Sequence, residues 1–290
     1  MSDSLSVLVS GATGQQGGAL ARVLLEKGHR VRAFVRRPDS PEAAELERLG
    51  AELEEGDFEE PSTIERAARG MDAVFVVATP FEAGMEAETR HGIAAADAAK
   101  TSGVSHLVYS SVAGADQDTG IPHFDSKRKV EAHIEGLGIP HTIVAPVYFM
   151  DNLLAPWTLP QLKKGSLPMA LPSSRPLQQI AVSDIAAFAA LVLESREEFV
   201  GRRVDIASDE LAGEEVAEVL TRVTGREIHY VELPIEQVRQ AMGADGVRMF
   251  EWFDRVGYSA DIATLRRDHP EVGWHTLEYW AKEQEWSALG

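Results

Sequence analysis

The sequence predicts an α/β protein: a doubly wound parallel sheet with helices on both faces, followed by a smaller, mostly helical C-terminal lobe. Three observations carry this. Short β-branched runs alternate with longer helical patterns through the first half of the 290 residues, the alternation of βαβ units. The runs are apolar nearly throughout, as strands buried on both faces must be. After Asn152 the rhythm breaks into a proline-rich stretch.

In order, the strand patterns are LSVLV, HRVRAFV, AELEE, DAVFVVA, SHLVYSS and HTIVAPV. Between them lie a helix running to Lys27, helices opening after Pro41 and Pro61, an Ala-rich helix from about Glu86 to Thr101, and a helix opening at HFDSK. Proline suits a first helical position because its missing N–H has no intrahelical partner there. The segment APWTLPQLKKGSLPMALPSSRP holds five of the 14 prolines and reads as a loop-rich crossover. Beyond it, QQIAVSDIAAFAALVLES reads as a strand and a helix capped near Ser183 or Asp184. RRVDIAS reads as a further strand that could return to the main sheet near 203–207. The remainder is helical apart from EIHYVEL. The expected division is 1–154 for a nucleotide-binding domain and 155–290 for a lobe serving a substrate or a partner.

Composition removes several function classes. The formal charge is −18, and an acidic surface repels nucleic-acid phosphates and anionic lipid. With no cysteine, disulfides, thiol nucleophiles and thiolate metal sites are excluded. No apolar run approaches the length of a membrane span, and the N-terminus lacks a basic signal-like region, so a cytoplasmic protein is expected. The histidines form no metal set: His269 and His275 stand apart from any HExxH or close carboxylate cluster. Trp252, Trp274, Trp280 and Trp286 fit core or interface packing better than a base-stacking platform.

The densest motif is SVLVSGATGQQGGALARVLLEKG. A strand ends at Ser10, Gly11, Gly14 and Gly17 follow at three-residue spacing, and a helix begins at once. Gly11 permits a sharp turn, Gly14 lets backbone N–H groups approach a pyrophosphate, and Gly17 lets helix and strand pack closely. The helix N-terminus offers free donors and a positive dipole end to the anion. A tight connection without a ligand would use the same glycines. The end of the second strand reads AFVRRPD, with Arg36 and Arg37 where an acid would otherwise hold the ribose 2′-hydroxyl of NAD. Guanidinium forks suit a 2′-phosphate, so NADP(H) is preferred. Solvated arginines are the plain alternative, and Asp39 keeps NAD(H) open. Asp57 with Phe58, and Thr79, Pro80 and Phe81, end the third and fourth strands, the edge over which ligands lie in open parallel sheets.

GATGQQGG at 11–18, VRRP at 35–38, GD at 56–57, HFDSKRKVE at 123–131 and PVYFMDNL at 146–153 together resemble the NmrA-like family, atypical members of the short-chain dehydrogenase/reductase superfamily. The resemblance implies a Rossmann domain, a small C-terminal lobe and a dinucleotide lying in the cleft between them. By position it implies that Thr13, Gly14, Gln15 and Gln16 contact the pyrophosphate and Arg36 the 2′-phosphate. Asp57 and Phe58 would border the adenine, and Thr79, Pro80 and Phe81 would line the middle of the cofactor. Lys127 would bind the nicotinamide ribose, with Tyr148, Phe149 and Asn152 beside the nicotinamide. Arg90 matches a basic position that reaches the cofactor in relatives; a solvated helix face would look the same.

The chain departs from the superfamily at one point. Reductases there pair Tyr and Lys four residues apart, with the phenol as proton donor, and here the tyrosine position holds His123. His123 has three readings: general acid, helix-start packing residue, or substrate-orienting residue. NmrA-like relatives include redox-sensing regulators and reductases of quinones, dyes and related aromatic acceptors. The expectation is an NADP(H)-binding regulator or weakly active reductase, with an oxidoreductase acting on a quinone-like acceptor as the alternative. The partner is then a small aromatic molecule or a regulatory protein, and monomer and dimer are both open.

Overall fold

A computed structural model of the chain describes residues 4–80 and 83–289. The chain runs β1 (Ser6–Val9), α1 (Gln15–Glu26), β2 (Arg30–Val35), α2 (Pro41–Arg48), β3 (Glu52–Glu55), α3 (Pro61–Ala68), β4 (Ala73–Val77), α4 (Met85–Ser102) and β5 (His106–Ser110). It continues with α5 (Pro122–Leu137), β6 (His141–Pro146), β7 (Tyr148–Phe149), α6 (Leu159–Leu162), β8 (Ser166–Met169), β9 (Pro176–Ile180), α7 (Val182–Glu194) and α8 (Arg196–Phe199). It closes with β10 (Arg203–Ile206), β11 (Asp209–Ala212), α9 (Gly213–Thr224), β12 (His229–Glu232), α10 (Ile235–Arg255, broken at Gly243), α11 (Ile262–Asp268) and α12 (Leu277–Glu283).

Local chemistry sets the helix ends. Ser40 accepts the Ala43 N–H at 3.2 Å ahead of Pro41, an N-cap followed by proline at N1. At its far end α4 stops on Gly103, whose φ of 71° is left-handed and open to glycine at no steric cost.

Seven strands form the main sheet in the order β10-β6-β5-β4-β1-β2-β3, a Rossmann-type arrangement. Neighbours from β3 through to β6 run parallel, with Val7 opposite both Val31 and Ala73. The order reverses at β1 and β4, which opens a crevice at their carboxyl ends. Leu8, Val74, Leu107, Tyr109 and Ile143 bury one face of this sheet against Ala95 and Ala99 of α4 and Val130 and Ile134 of α5. A side chain at Gly92 would collide with Val130, so glycine there lets α4 and α5 approach closely. The strand expected near 203–207 is β10, at the edge of this sheet.

The molecule divides into two compact units. The first holds residues up to Asp118, Pro122–Ala145 and Ile185–Val204; the second holds Thr119–Ile121, Pro146–Asp184 and the chain from Asp205. The chain leaves the first unit at Ala145, ahead of residue 154, because β7 pairs with β9.

Within the second unit β11, β9 and β7 form one small sheet and β12 and β8 another. A separate core joins Val216 and Leu220 of α9 to Leu167, Leu277, Trp280 and Ala281. The lobe therefore has more strand than the sequence predicts. One strand, β8, lies within the proline-rich stretch, with Pro168 in a two-stranded sheet, and Pro176 at the end of that stretch begins β9, the strand predicted over QQIAV; both positions spare the missing N–H. Asp184 does not cap α7; it accepts the His275 backbone N–H at 2.9 Å and pairs with the His275 ring. Among the described residues no helix is long and apolar enough to cross a membrane, and no cluster of three His, Asp or Glu could hold a metal ion.

Candidate functional site

The phosphate loop is shaped by backbone contacts that exclude side chains. Gly11 has φ +60°, and a Cβ there would lie 2.6 Å from the Val77 Cγ1. A Cβ at Gly17 would fall on the carbonyls of Gly11 and Ser10, so α1 can start against β1 only with glycine here. The Gly14 N–H closes the turn onto the Gly11 carbonyl at 2.9 Å, and Gly14 is the cap residue of α1, with no side chain over the helix end. Thr13, Gly14 and Gln15 are exposed, so the first N–H groups of α1 face outward without competition from acidic residues in its first turn.

Two hydrogen bonds lace this loop to the carboxyl ends of neighbouring strands, and a third ties α5 to the end of β4. The Ser10 hydroxyl accepts the Val77 N–H at 2.9 Å, Ser110 donates to the Gln16 amide oxygen at 2.6 Å, and Lys127 donates to the Ala78 carbonyl at 3.0 Å. The ends of β1, β4 and β5 and the start of α5 are thereby fixed together. Thr79 and Pro80 follow Ala78 on this edge, and the Pro80 carbonyl receives the Gly84 N–H at 2.8 Å ahead of α4. Phe81 lies outside the described residues.

Arg36 and Arg37 leave β2 exposed at the same edge. Asp57 follows β3, its carboxylate accepting the Glu59 N–H at 2.9 Å. The Phe58 ring stacks on His91, with centroids 5.4 Å apart and planes at 18°. Arg90 is exposed and bonded to Glu59 at 3.0 Å, and Glu59 also takes His91 at 2.8 Å. Those two bonds hold the Glu59 carboxyl below the usual carboxylate range. Arg90 is thus turned to a surface carboxylate that the sequence reading did not consider.

Lys127 is the most elaborately held of the expected residues. Its ammonium pairs with the fully buried Glu88 at 2.9 Å, bonds the Ala78 carbonyl and stands 5.8 Å from the centre of the Tyr109 ring. The other Glu88 oxygen accepts the Ser126 hydroxyl. His123 is half-buried in the first turn of α5, its ring edge-on to Phe124 at 4.8 Å. Of the superfamily's candidate serines, Ser110 bonds Gln16 and Ser111 bonds the buried Glu131. Tyr109 is no replacement for the missing proton donor. Its hydroxyl is fully buried with no partner among the described residues, and burial beside the Glu88 and Glu131 carboxylates pushes its pKa far up.

Sequence reasoning missed Glu88. The signal was present: Glu88, Gly92, Ala95 and Ala99 are all buried at spacings of four, three and four on α4, so an acid occupies the small-residue stripe that faces the core.

Tyr148, Phe149 and Asn152 lie in the second unit. Burial pushes the Tyr148 phenol up to about 12, partly offset by a hydrogen bond with Asn152. Tyr148 lines an apolar recess with Leu167, Met169, Leu171, Leu211 and Tyr230, whose volume of about 20 Å³ is water-sized. Tyr230 donates to the Leu171 carbonyl at 2.6 Å.

Comparison with known proteins gives a consistent answer. The model of the NmrA-like family matches residues 3–281. The NAD(P)H azoreductase of Xenophilus azovorans is 33% identical over 241 residues, covering 83% of this chain and 82% of that protein. Among solved structures, the triphenylmethane reductase of Citrobacter sp. in complex with NADP(H) superposes with a TM-score of 0.81 at 20% identity, covering 96% of this chain and 99% of that one. The negative transcriptional regulator NmrA in complex with NADP superposes with a TM-score of 0.78 at 24% identity, covering 97% and 95%. The structural likeness is one of fold; the family match and the identity to the azoreductase extend it to the sequence, and this chain belongs to the NmrA-like family.

Proposed function

We propose that the protein binds NADP(H) along the carboxyl edge of its main sheet and acts as a weakly active reductase or a redox-sensing regulator. The observation that carries this is the phosphate loop at the strand-order reversal, where two glycines are sterically required and the third leaves the helix end bare. A pyrophosphate suits such a cradle. In this reading Gly11, Thr13, Gly14, Gln15, Gln16 and Gly17 hold the pyrophosphate, and Arg36 with Arg37 holds the 2′-phosphate. Asp57 and Phe58 border the adenine, and Lys127 takes the nicotinamide ribose. When bound, the cofactor supplies a hydride.

The chain's own residues are poorly equipped to add a proton to a developing oxyanion. Tyr109 is buried and hard to ionise, and Tyr148 is pushed up to about 12, where a phenol is a hydrogen-bond donor rather than an acid at neutral pH. That leaves His123 or solvent. A limited proton supply favours acceptors such as quinones, because hydride addition leaves a resonance-stabilised phenolate that can take its proton from solvent.

A second reading, a competent oxidoreductase acting on a quinone-like or other small aromatic acceptor, is favoured by the 33% identity to an azoreductase. Stopped-flow measurement of NADPH oxidation over a panel of quinones, azo dyes and enals separates the two. Turnover above about 1 s⁻¹, the lower range of typical enzymes, supports the second reading. Tight NADPH binding with slower turnover supports the first, and binding of neither NADPH nor NADH overturns both.

A further inference from the structure

We infer that Glu88 is a positioning residue for Lys127, holding its ammonium so that one N–H is kept for a hydroxyl of the nicotinamide-bearing ribose. This deepens the cofactor reading above and rests on it. A lysine ammonium has three donors and no acceptor. Here one goes to the Ala78 carbonyl at 3.0 Å, while Glu88 Oε1 holds the ammonium as an ion pair at 2.9 Å without accepting a hydrogen bond from it. The Lys127 side chain is 12% exposed and the Glu88 side chain 0%. The donors not spent on Ala78 therefore belong to a group that solvent barely reaches.

The clamp is built from two elements. Glu88 stands on α4, and its two oxygens receive consecutive residues of α5, Ser126 on one and Lys127 on the other. Gly92, one turn along α4, permits the close approach of the two helices that brings the carboxylate within reach. The Tyr109 ring closes another side of the ammonium. A lysine on a flexible four-carbon stem is otherwise a mobile point charge whose ordering costs side-chain entropy when a ligand binds. Held this way, the cost is met in the folded protein, and the bound hydroxyl meets a donor already in place. The pair is also neutral overall, so Lys127 contributes direction rather than net positive charge to the site.

The alternative is that Glu88 is a buried ion-pair partner that only ties α4 to α5. Two ligands distinguish these roles: NADPH, and adenosine 2′,5′-bisphosphate, which carries the adenine half without the nicotinamide ribose. Their dissociation constants are measured by calorimetry for the wild type and for Glu88→Gln, Lys127→Ala and the double variant. Glu88→Gln should bind NADPH about tenfold more weakly, the scale of one hydrogen bond to a charged group, and hold the bisphosphate within about twofold. The double variant should bind NADPH no more weakly than Lys127→Ala alone, because Glu88 acts through the lysine. Unchanged NADPH affinity in Glu88→Gln, equal losses for both ligands, or additive losses in the double variant would each overturn the inference. If Glu88→Gln does not fold, Glu88→Asp keeps the charge and withdraws it by one methylene; it should show the same selective loss for NADPH, and no selective loss overturns the inference. A wild type that binds neither ligand overturns the cofactor reading itself, a result distinct from all of these.

Discussion

Replacing Gly17 by alanine tests the phosphate loop at its tightest point. The new Cβ would sit 2.5 Å from the Ser10 carbonyl oxygen and nearer still to that of Gly11, where ordinary contact begins at 3.4 Å. Both obstacles are backbone and cannot rotate away, so α1 must withdraw from the end of β1 by roughly 1 Å, a small-to-large strain costing about 1–3 kcal/mol. At this chain length that lowers Tm by roughly 2–10 °C. The same displacement lengthens every hydrogen bond from the first turn of α1 to a phosphate by a similar amount. Losing one or two bonds to a charged group weakens NADPH by about ten- to a hundredfold. Thermal unfolding monitored by circular dichroism and fluorescence titration with NADPH provide the two readouts. Gly136→Ala is the control: it lies in α5 with nothing within 4 Å of the added Cβ, and should stabilise by about 0.4–1 kcal/mol without touching affinity. Gly17→Ala with unaltered Tm and unaltered NADPH affinity would refute the close-packing argument, and with it the strongest support for a phosphate site.

Three further outcomes are expected. Arg36→Ala should lower the preference for NADPH over NADH by about tenfold or more, the worth of a charge-assisted hydrogen bond; paired titrations showing the preference intact would dismiss the arginine as the 2′-phosphate ligand. His123→Ala should reduce quinone turnover by less than about tenfold, whereas loss of a general acid costs about 10²–10⁴, and a fall of that size would assign His123 the proton donor's role. The fold should also weaken in acid through His106. Its Nε2 bonds the Thr142 oxygen at 2.8 Å, and because that hydroxyl donates to the Phe199 carbonyl, Nε2 carries the proton and the buried Nδ1 is bare. Burial first, then the charge of Arg196 and His141, pushes the ring down to about 4. The unfolded chain protonates this ring near 6.5, so its contribution is complete above that pH and is lost as pH falls towards 4, on the order of 3 kcal/mol. Urea unfolding at neutral and acid pH measures the loss, and His106→Gln should remove most of the difference.

The first unit was legible because its signals are local. A strand that enters glycines at three-residue spacing and leaves as a helix has few other folds open to it, and apolar runs such as DAVFVVA, most of which becomes the buried β4, admit only the middle of a parallel sheet. The second unit was less legible because its strands are short and contradict local propensity. SLPM carries a proline and DELA carries two acids in four residues; each is a strand because a partner elsewhere in the chain pairs with it. Pairing partners of that kind are set by tertiary packing, which no window of sequence displays.

The same distinction divides the site. Lys127 could be placed from sequence because it follows the end of β5 by a helix start, and Arg36 because it follows β2. What holds Lys127 was harder to read, since it depends on recognising which face of α4 turns inwards. The helix MEAETRHGIAAADAAKTS carries Glu86, Glu88 and Asp97, and of these only Glu88 falls on the small-residue stripe and is fully buried. A buried carboxylate must find compensation, and on α5 the residues able to give it are Ser126 and Lys127, inside the HFDSK stretch. The departure from the usual tyrosine–lysine pair is therefore accompanied by a carboxylate–lysine pair. The first would tune a proton donor; the second fixes a hydrogen-bond donor, which is chemistry suited to holding a nucleotide more than to turning over a substrate.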